Sequence, residues 1–250
     1  MPADATTLPN YADLWQSALG WTPDGLQPQF QRLFSHLVEI NRQVNLTRIT
    51  TPEDFWEKHL WDSLYGIMPW LTGQFSWDGA DIERVIDVGT GGGFPGLPVA
   101  IASPSWSLTF LDSTRKKIQA VQTLAEALNL PNAESYLANR AELVGQNPLH
   151  RASYDLVLIR AVGPASTCAE YALPLLKLGG IAVLYRGQWN DADTANLTLA
   201  LDLLGGTLVK TNQTQTPLTQ AERTCLYLKK VAETEAKYPR DNGVPAKFPL

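Results

Sequence analysis

The 250-residue sequence predicts an α/β protein: a doubly wound, mostly parallel sheet preceded by a small helical subdomain. Three observations predict it. From residue 84 onward, short β-branched apolar runs alternate with amphipathic stretches, as strand–helix–strand units require. The residues before that point carry helical periodicity and no strand pattern. The last two strand candidates follow one another with no helix between them, so they close the sheet as an antiparallel pair.

Taken in order, residues 28–44 place Phe30, Leu33, Phe34, Leu37, Val38, Ile40 and Val44 near helical spacing. A second helical stretch starts at Pro52. Thr51 suits its N-cap, Pro52 its first position, and Glu53 and Asp54 complement the dipole at that end. Trp15, Trp56, Trp61 and Trp70 are expected to pack its core. Residues 1–70 thus read as a helical subdomain, and the two glycines and polar residues of 71–81 mark a connection. Residues 84–89 form a strand ending in Gly89. A second strand covers 107–112, and an amphipathic helix covers 114–130. The run 154–161 is nearly all apolar, as a strand buried on both faces must be. A strand at 179–187, a helix at 191–204 and strands at 206–214 and 223–231 complete the series. The expected units are 1–83, 84–231 and a C-terminal tail, 232–250.

Composition narrows the class. No apolar run approaches the roughly 20 residues needed to cross a bilayer, and the first residues resemble no leader, so a cytoplasmic protein without membrane contact is expected. Cys168 and Cys225 lie far apart without metal spacing, which fits simple burial in a reducing compartment and no bound metal. The net charge of −5 is unevenly spread. Residues 1–83 hold four Lys/Arg against eleven acids, and residues 84–250 hold sixteen against fourteen. A nucleic acid is therefore expected to be gripped by the second segment.

The central motif is Asp87-Val88-Gly89-Thr90-Gly91-Gly92-Gly93-Phe94-Pro95-Gly96, directly after a strand and opening a helix. Glycines there allow a sharp turn and close approach of a ligand. Asp112 ends the next strand, where a carboxylate can accept both hydroxyls of a ribose. Gly91, Gly93 and Gly96 with Asp112 formally satisfy a dinucleotide fingerprint. S-adenosylmethionine is the favoured ligand, however. The tight Gly-x-Gly after the strand is Gly89/Gly91, which lacks a third glycine three residues on, and Pro95 interrupts the helix start. The terminal strand pair also suits a Rossmann-like class I methyltransferase.

These residues resemble the RsmG (GidB) family, the small-subunit rRNA (guanine-N7) methyltransferases. The resemblance runs through Asn45-Leu46-Thr47, Lys58-His59-Leu60-Trp61-Asp62-Ser63 and, most specifically, residues 86–101 with their Gly-x-Pro-Gly-x-Pro ending. It continues through Asp112-Ser113-Thr114, Arg140-Ala141-Glu142, Arg160-Ala161 and a Pro-punctuated tail at 238–250. Carried over position by position, it implies that Gly89 and Phe94 line the cofactor pocket. Asp112, Ser113 and Thr114 would hold the ribose and adenosine side. Ala141 and Glu142 match the adenine loop, and Arg160 the cofactor-binding arginine after the fourth strand. Arg186-Gly187 replaces the Lys-Gly common in members, and Asp241 follows Arg240 where a second basic residue is frequent. The resemblance further implies a basic tail that grips RNA, a monomer, and methylation of a guanine in the 530 loop of 16S rRNA, on naked RNA or on the small ribosomal subunit.

Guanine N7 keeps a free lone pair at neutral pH, so no catalytic acid, base or nucleophile is expected, and orientation should carry most of the rate. Two other classes stay open on the residues alone: an NAD(P)-dependent oxidoreductase, and a non-catalytic RNA-binding module on the same fold. His59 and Asp62 are read chiefly as a helix-face pair closing the subdomain against the sheet. Tyr185 and Trp189 flank Arg186-Gly187 and are candidates for stacking on a base.

Overall fold

The computed structural model of the protein describes residues 7–73 and 81–250. The connection expected at 71–81 therefore lies mostly outside the described residues, as do the first six. Helices α1 (Ala12–Leu19) and α2 (Gln27–Asn41) come first. A continuous helical run then covers 52–65 in three parts: α3 (Pro52–Phe55), a π-helical turn (Trp56–Trp61) and α4 (Asp62–Tyr65). Thr51 caps it by accepting the Asp54 N–H, as its sequence signature requires. Helix α5 (Met68–Leu71) follows.

The strands are β1 (Arg84–Val88), β2 (Ser107–Asp112), β3 (Ala133–Ala138), β4 (Tyr154–Arg160), β5 (Leu176–Arg186), β6 (Gly206–Gln215) and β7 (Glu222–Lys230). Between and after them lie α6 (Gly96–Ala102), α7 (Arg115–Leu128), α8 (Ala141–Gln146), α9 (Ala165–Ala172), α10 (Asp191–Leu204) and α11 (Val244–Lys247). One seven-stranded sheet results, in the order β3-β2-β1-β4-β5-β7-β6, with β7 antiparallel to both neighbours. The chain winds outward from β1 to β3, then returns to β4 and winds the other way. The crevice for a ligand in such a sheet opens where the order reverses, at the C-terminal ends of β1 and β4.

Alternate residues of the inner strands enter two cores. Leu156, Leu158, Val183 and Tyr185 point to one face, and Val157, Ile159, Ala182 and Leu184 to the other. Both faces are buried, so these strands read as continuous apolar runs. The first core is shared with the helical part: Trp15, Phe30, Trp56 and Trp61 are fully buried in the same cluster as Leu156 and Tyr227. The helical segment is thus a cover for one sheet face rather than a unit with its own core. Cys168 and Cys225 are buried, and burial pushes the Cys168 thiol up to about 11. Among the described residues no helix is long and apolar enough to cross a membrane.

Several elements are given no bounds by the sequence, among them α1, β3, α8 and α11. β3, Ala-Glu-Ser-Tyr-Leu-Ala, is an edge strand with mixed burial and no apolar run to reveal it. α1 is eight residues long and lies inside the stretch read as helical, but its own bounds are not assigned from the sequence.

Candidate active site

The Gly-rich turn is built around Asp87, which is completely buried at the end of β1. Its Oδ2 accepts the Thr90 hydroxyl (2.6 Å) and the Gly96 N–H (2.8 Å). A Cβ on Gly96 would lie 2.5 Å from the Phe110 ring and 2.8 Å from Asp87 Oδ2, so only glycine lets this amide reach the carboxylate. Asp87 Oδ1 has no hydrogen-bond partner, and burial pushes the carboxyl up to about 6 despite the two bonds. Gly89 turns the chain with φ +74°, and a Cβ there would meet Val162 Cγ2 at 2.5 Å. The loop thereby exposes backbone where a side chain would block the crevice.

Asp112 ties this turn to the next one. Its Oδ2 accepts the Gly91 N–H (3.0 Å) and its Oδ1 the Thr114 N–H (2.8 Å). Each oxygen retains a lone pair for a further donor. Gly89, Asp112, Ser113, Ala141 and Glu142 line one cleft at the sheet's C-terminal edge. Five of the eight expected cofactor positions therefore converge. Thr114 adjoins this cleft only through its backbone bond to Asp112. Phe94 does not line it: its ring lies parallel to the His59 imidazole at 3.9 Å and edge-on to Phe55, facing the helical segment.

Arg160 leaves β4 toward a second cleft, which it lines with Lys58, His59, Asp62, Arg186 and Arg223. Its Nη1 donates to the Lys58 carbonyl (2.8 Å) and to Asp62 Oδ2 (2.9 Å), and its Nη2 lies 3.3 Å from His59 Nδ1. Asp62 Oδ1 in turn accepts Arg223 Nε (3.1 Å). His59 and Asp62 thus do not bond one another; both hold Arg160. The His59 Nε2 is 2.9 Å from the Thr47 hydroxyl. Burial first, then the Arg160 charge, hold His59 well below the usual imidazole range, so it is neutral at pH 7. Tyr185 is 5% exposed and donates to the Ser63 carbonyl (2.9 Å), which makes it a wall of this cleft rather than a free stacking ring. Trp189 is half-buried, with its indole N–H bonded to Thr194.

Consecutive residues after β4 contribute to the two clefts. Val162 lines the first and Ala161 the second. Sequence reasoning did not single out Asn139, Val162, Tyr171, Gly243 or Ala246 in the first cleft, nor Arg223 in the second. Only fold position marks Asn139 and Val162, which follow strands at the ligand edge. Nothing local signals Arg223, because its partner Asp62 is 161 residues away. Among the described residues no cluster of His, Cys, Asp and Glu could hold a metal ion.

Residues 26–226 match the family described as GidB, rRNA small subunit methyltransferase G. The chain is 53% identical over 245 residues to the ribosomal RNA small subunit methyltransferase G of Trichormus variabilis, covering 97% of this chain and 98% of that one. It is 52% identical over 237 residues to that of Synechococcus elongatus, covering 94% and 95%. In fold it is similar to an O-methyltransferase from Bacillus cereus solved with SAH (TM-score 0.54, 14% identity, 88% of this chain and 96% of that one). It is likewise similar to the O-methyltransferase TomG from Streptomyces achromogenes solved with SAM (TM-score 0.53, 16% identity, 89% and 97%).

Proposed function

The chain belongs to the GidB family of rRNA small subunit methyltransferase G proteins, and we propose that it transfers a methyl group from S-adenosylmethionine to N7 of one guanine in 16S rRNA. The observation that carries this reading is that neighbouring residues after β4, Ala161 and Val162, line two different clefts; on this reading the first would take the donor and the second the base. The dinucleotide reading of the glycine turn has no support from the family. The two similar folds were solved with SAM or its demethylated product, which favours the same ligand class here.

The residues of the first cleft fit the donor. Asp112 offers one free lone pair per oxygen to a ribose diol, with both oxygens already steadied by backbone amides. At Gly89 the crevice would be narrowed by any Cβ. When bound, S-adenosylmethionine supplies a methyl group on a positively charged sulfur, a leaving group that departs neutral.

The second cleft suits a nucleophile that arrives with its own lone pair. Its two candidate proton acceptors are engaged: His59 between Thr47 and Arg160, and Asp62 between Arg160 and Arg223. A hydroxyl or exocyclic amine would need a free base there; guanine N7 does not. The O6 acceptor beside N7 suits a cleft lined by Lys58, Arg160, Arg186 and Arg223, and a bond to O6 leaves the N7 lone pair free for the methyl group. The work of the chain is then to orient base and methyl in line, an entropic gain that needs no proton transfer. Phosphates flanking the base would add charge-assisted bonds to the same cations.

The test is methyl transfer from labelled S-adenosylmethionine to small subunits lacking N7-methylguanine, followed by nucleoside mass spectrometry. One N7-methylguanosine in the 530 loop of 16S rRNA is expected. Label in another base or position would refute the guanine-N7 assignment. Cofactor binding without transfer to naked RNA, assembly intermediates or subunits would favour a non-catalytic RNA-binding role.

A further inference from the structure

The C-terminal tail lies beyond the family model's match, which ends at residue 226, although relatives such as that of Trichormus variabilis align over 97% of the chain. Residues 232–250 carry three acids (Glu233, Glu235, Asp241) and three basic residues (Lys237, Arg240, Lys247), so the tail is neutral rather than basic. Its single arginine is also occupied. Arg240 clamps both carboxylate oxygens of Glu170, a fully buried residue of α9, through Nε (2.9 and 3.1 Å) and Nη2 (2.7 Å). Its backbone N–H donates to the same carboxylate, and Nη2 also reaches the Phe248 carbonyl (2.8 Å). From α9, Thr167 donates to the Pro245 carbonyl (2.8 Å). Arg151 donates to the carbonyls of Thr234, Glu235 and Tyr238. Such a set of buried, charge-assisted bonds fixes the tail's path.

That path runs along the first cleft, where Gly243 and Ala246 form part of the lining. The Gly243 N–H donates to Glu142 Oε1 (2.9 Å), which also accepts the Tyr171 hydroxyl (3.1 Å). Glu142 is 3% exposed. Both donors fall on one oxygen, so Oε2 receives no hydrogen bond from the described residues and keeps its full acceptor capacity. The cleft has Asp112 at one place and the 139–142 loop, with the tail facing it, at another.

We propose that tail residues 238–248 are the wall of the donor cleft at its adenine end, with Gly243 holding Glu142 and Ala246 covering the nucleobase. The inference rests on the donor assignment above. It gives the tail a role in donor affinity, in place of the RNA grip that a basic tail would have had. A carboxylate oxygen left without a donor in the cleft lining can accept from an exocyclic amino group.

The experiment uses the full chain and S-adenosylhomocysteine as probe. Ala246 is exposed, so Ala246→Trp should leave the Tm of the unliganded protein unchanged. It should weaken binding at least tenfold by calorimetry, and weaken free adenosine by a similar factor. In the unaltered chain, hydrogen exchange across 240–248 should slow on adding S-adenosylhomocysteine, together with exchange across 139–142. Binding by Ala246→Trp within twofold of the unaltered chain would overturn the tail assignment and leave the donor assignment standing. Unchanged exchange in 240–248, while residues 86–93 slow, would do the same even if the variant failed to fold. No binding by the unaltered chain would overturn both.

Discussion

Asp112→Asn probes the proposed donor site with the least change of shape. Asp112 is 8% exposed, and each of its oxygens accepts one backbone N–H, from Gly91 at 3.0 Å and from Thr114 at 2.8 Å. The amide variant can still accept from one of them, whereas its NH2 group faces the other donor. The protein therefore loses one hydrogen bond, worth about 1 kcal/mol, or somewhat more for the charged acceptor. The donor loses more. A ribose diol bonded to a carboxylate makes two charge-assisted bonds, and replacing the charge should cost about 1.5–3 kcal/mol, roughly 10- to 150-fold in Kd. Calorimetry with S-adenosylhomocysteine gives the affinity, and a thermal melt of the unliganded protein gives the stability. The expected signature is a small fall in Tm with a large rise in Kd. A Kd within twofold of the unaltered chain, at the same fall in Tm, would remove Asp112 from the binding site and make it a brace for the glycine turn alone.

Asp87→Asn should flatten part of the pH dependence of stability. An acid raised from 3.8 to about 6 binds its proton more tightly when folded, so its contribution is greatest below pH 4 and is lost as pH rises through 6. At pH 7 the variant should therefore gain up to about 3 kcal/mol relative to its standing at pH 4, read by denaturant melts at both values; a parallel shift at both pH values would contradict the burial argument. Arg160→Met should reduce methyl transfer by orders of magnitude while lowering stability only about 1–3 kcal/mol, because Arg223 still holds Asp62. Steady-state kinetics beside a melt decides it, and near-normal kcat would exclude Arg160 from positioning the base. Glu57→Gln should cost about 1–3 kcal/mol, since this buried carboxylate accepts the Leu218 and Thr219 N–H groups and the Thr219 hydroxyl. If the hairpin turn is held mainly by Glu57, exchange across 216–221 will quicken; unchanged exchange there would refute that.

How much of this was legible in the sequence depended on the range of the interaction. The inner strands were legible because burial on both faces leaves a continuous apolar run, as in residues 154–161. The Gly-rich turn was legible because Asp87, Gly89 and Gly96 act within ten residues of one another. β3 was not, since an edge strand needs no apolar run. Phe94 was assigned to the donor pocket from its place in the motif, yet its ring faces away from that cleft to stack on His59, a contact across 35 positions that no local pattern encodes. Arg160 was placed at the sheet's ligand edge, where it lies, but its route into the second cleft depends on Asp62, 98 residues earlier. The tail was the least legible part, because its path depends on Glu142 and Glu170, far back in the chain.

The uneven charge of the chain takes on a structural meaning in the helical run 52–65. The acidic first segment holds only four basic residues, which argues against its gripping RNA by itself. Two of its acids instead organise basic or polar groups of the second segment: Asp62 takes Arg160 from β4 and Arg223 from β7, and Glu57 pins the β6–β7 turn that leads into Arg223. The same run receives the Tyr185 hydroxyl from β5 at the Ser63 carbonyl. Residues of three different strands are thereby referred to one helix, whose π-helical turn carries His59 and Lys58 beside them. The N7 transfer proposed above would move no proton, so it would gain little from a reactive side chain and much from rigidity at this point. The acids are therefore better understood as fixing where the second cleft's cations stand than as repelling the substrate, and neutralising Asp62 should disorder the cleft even though it makes the protein less negative.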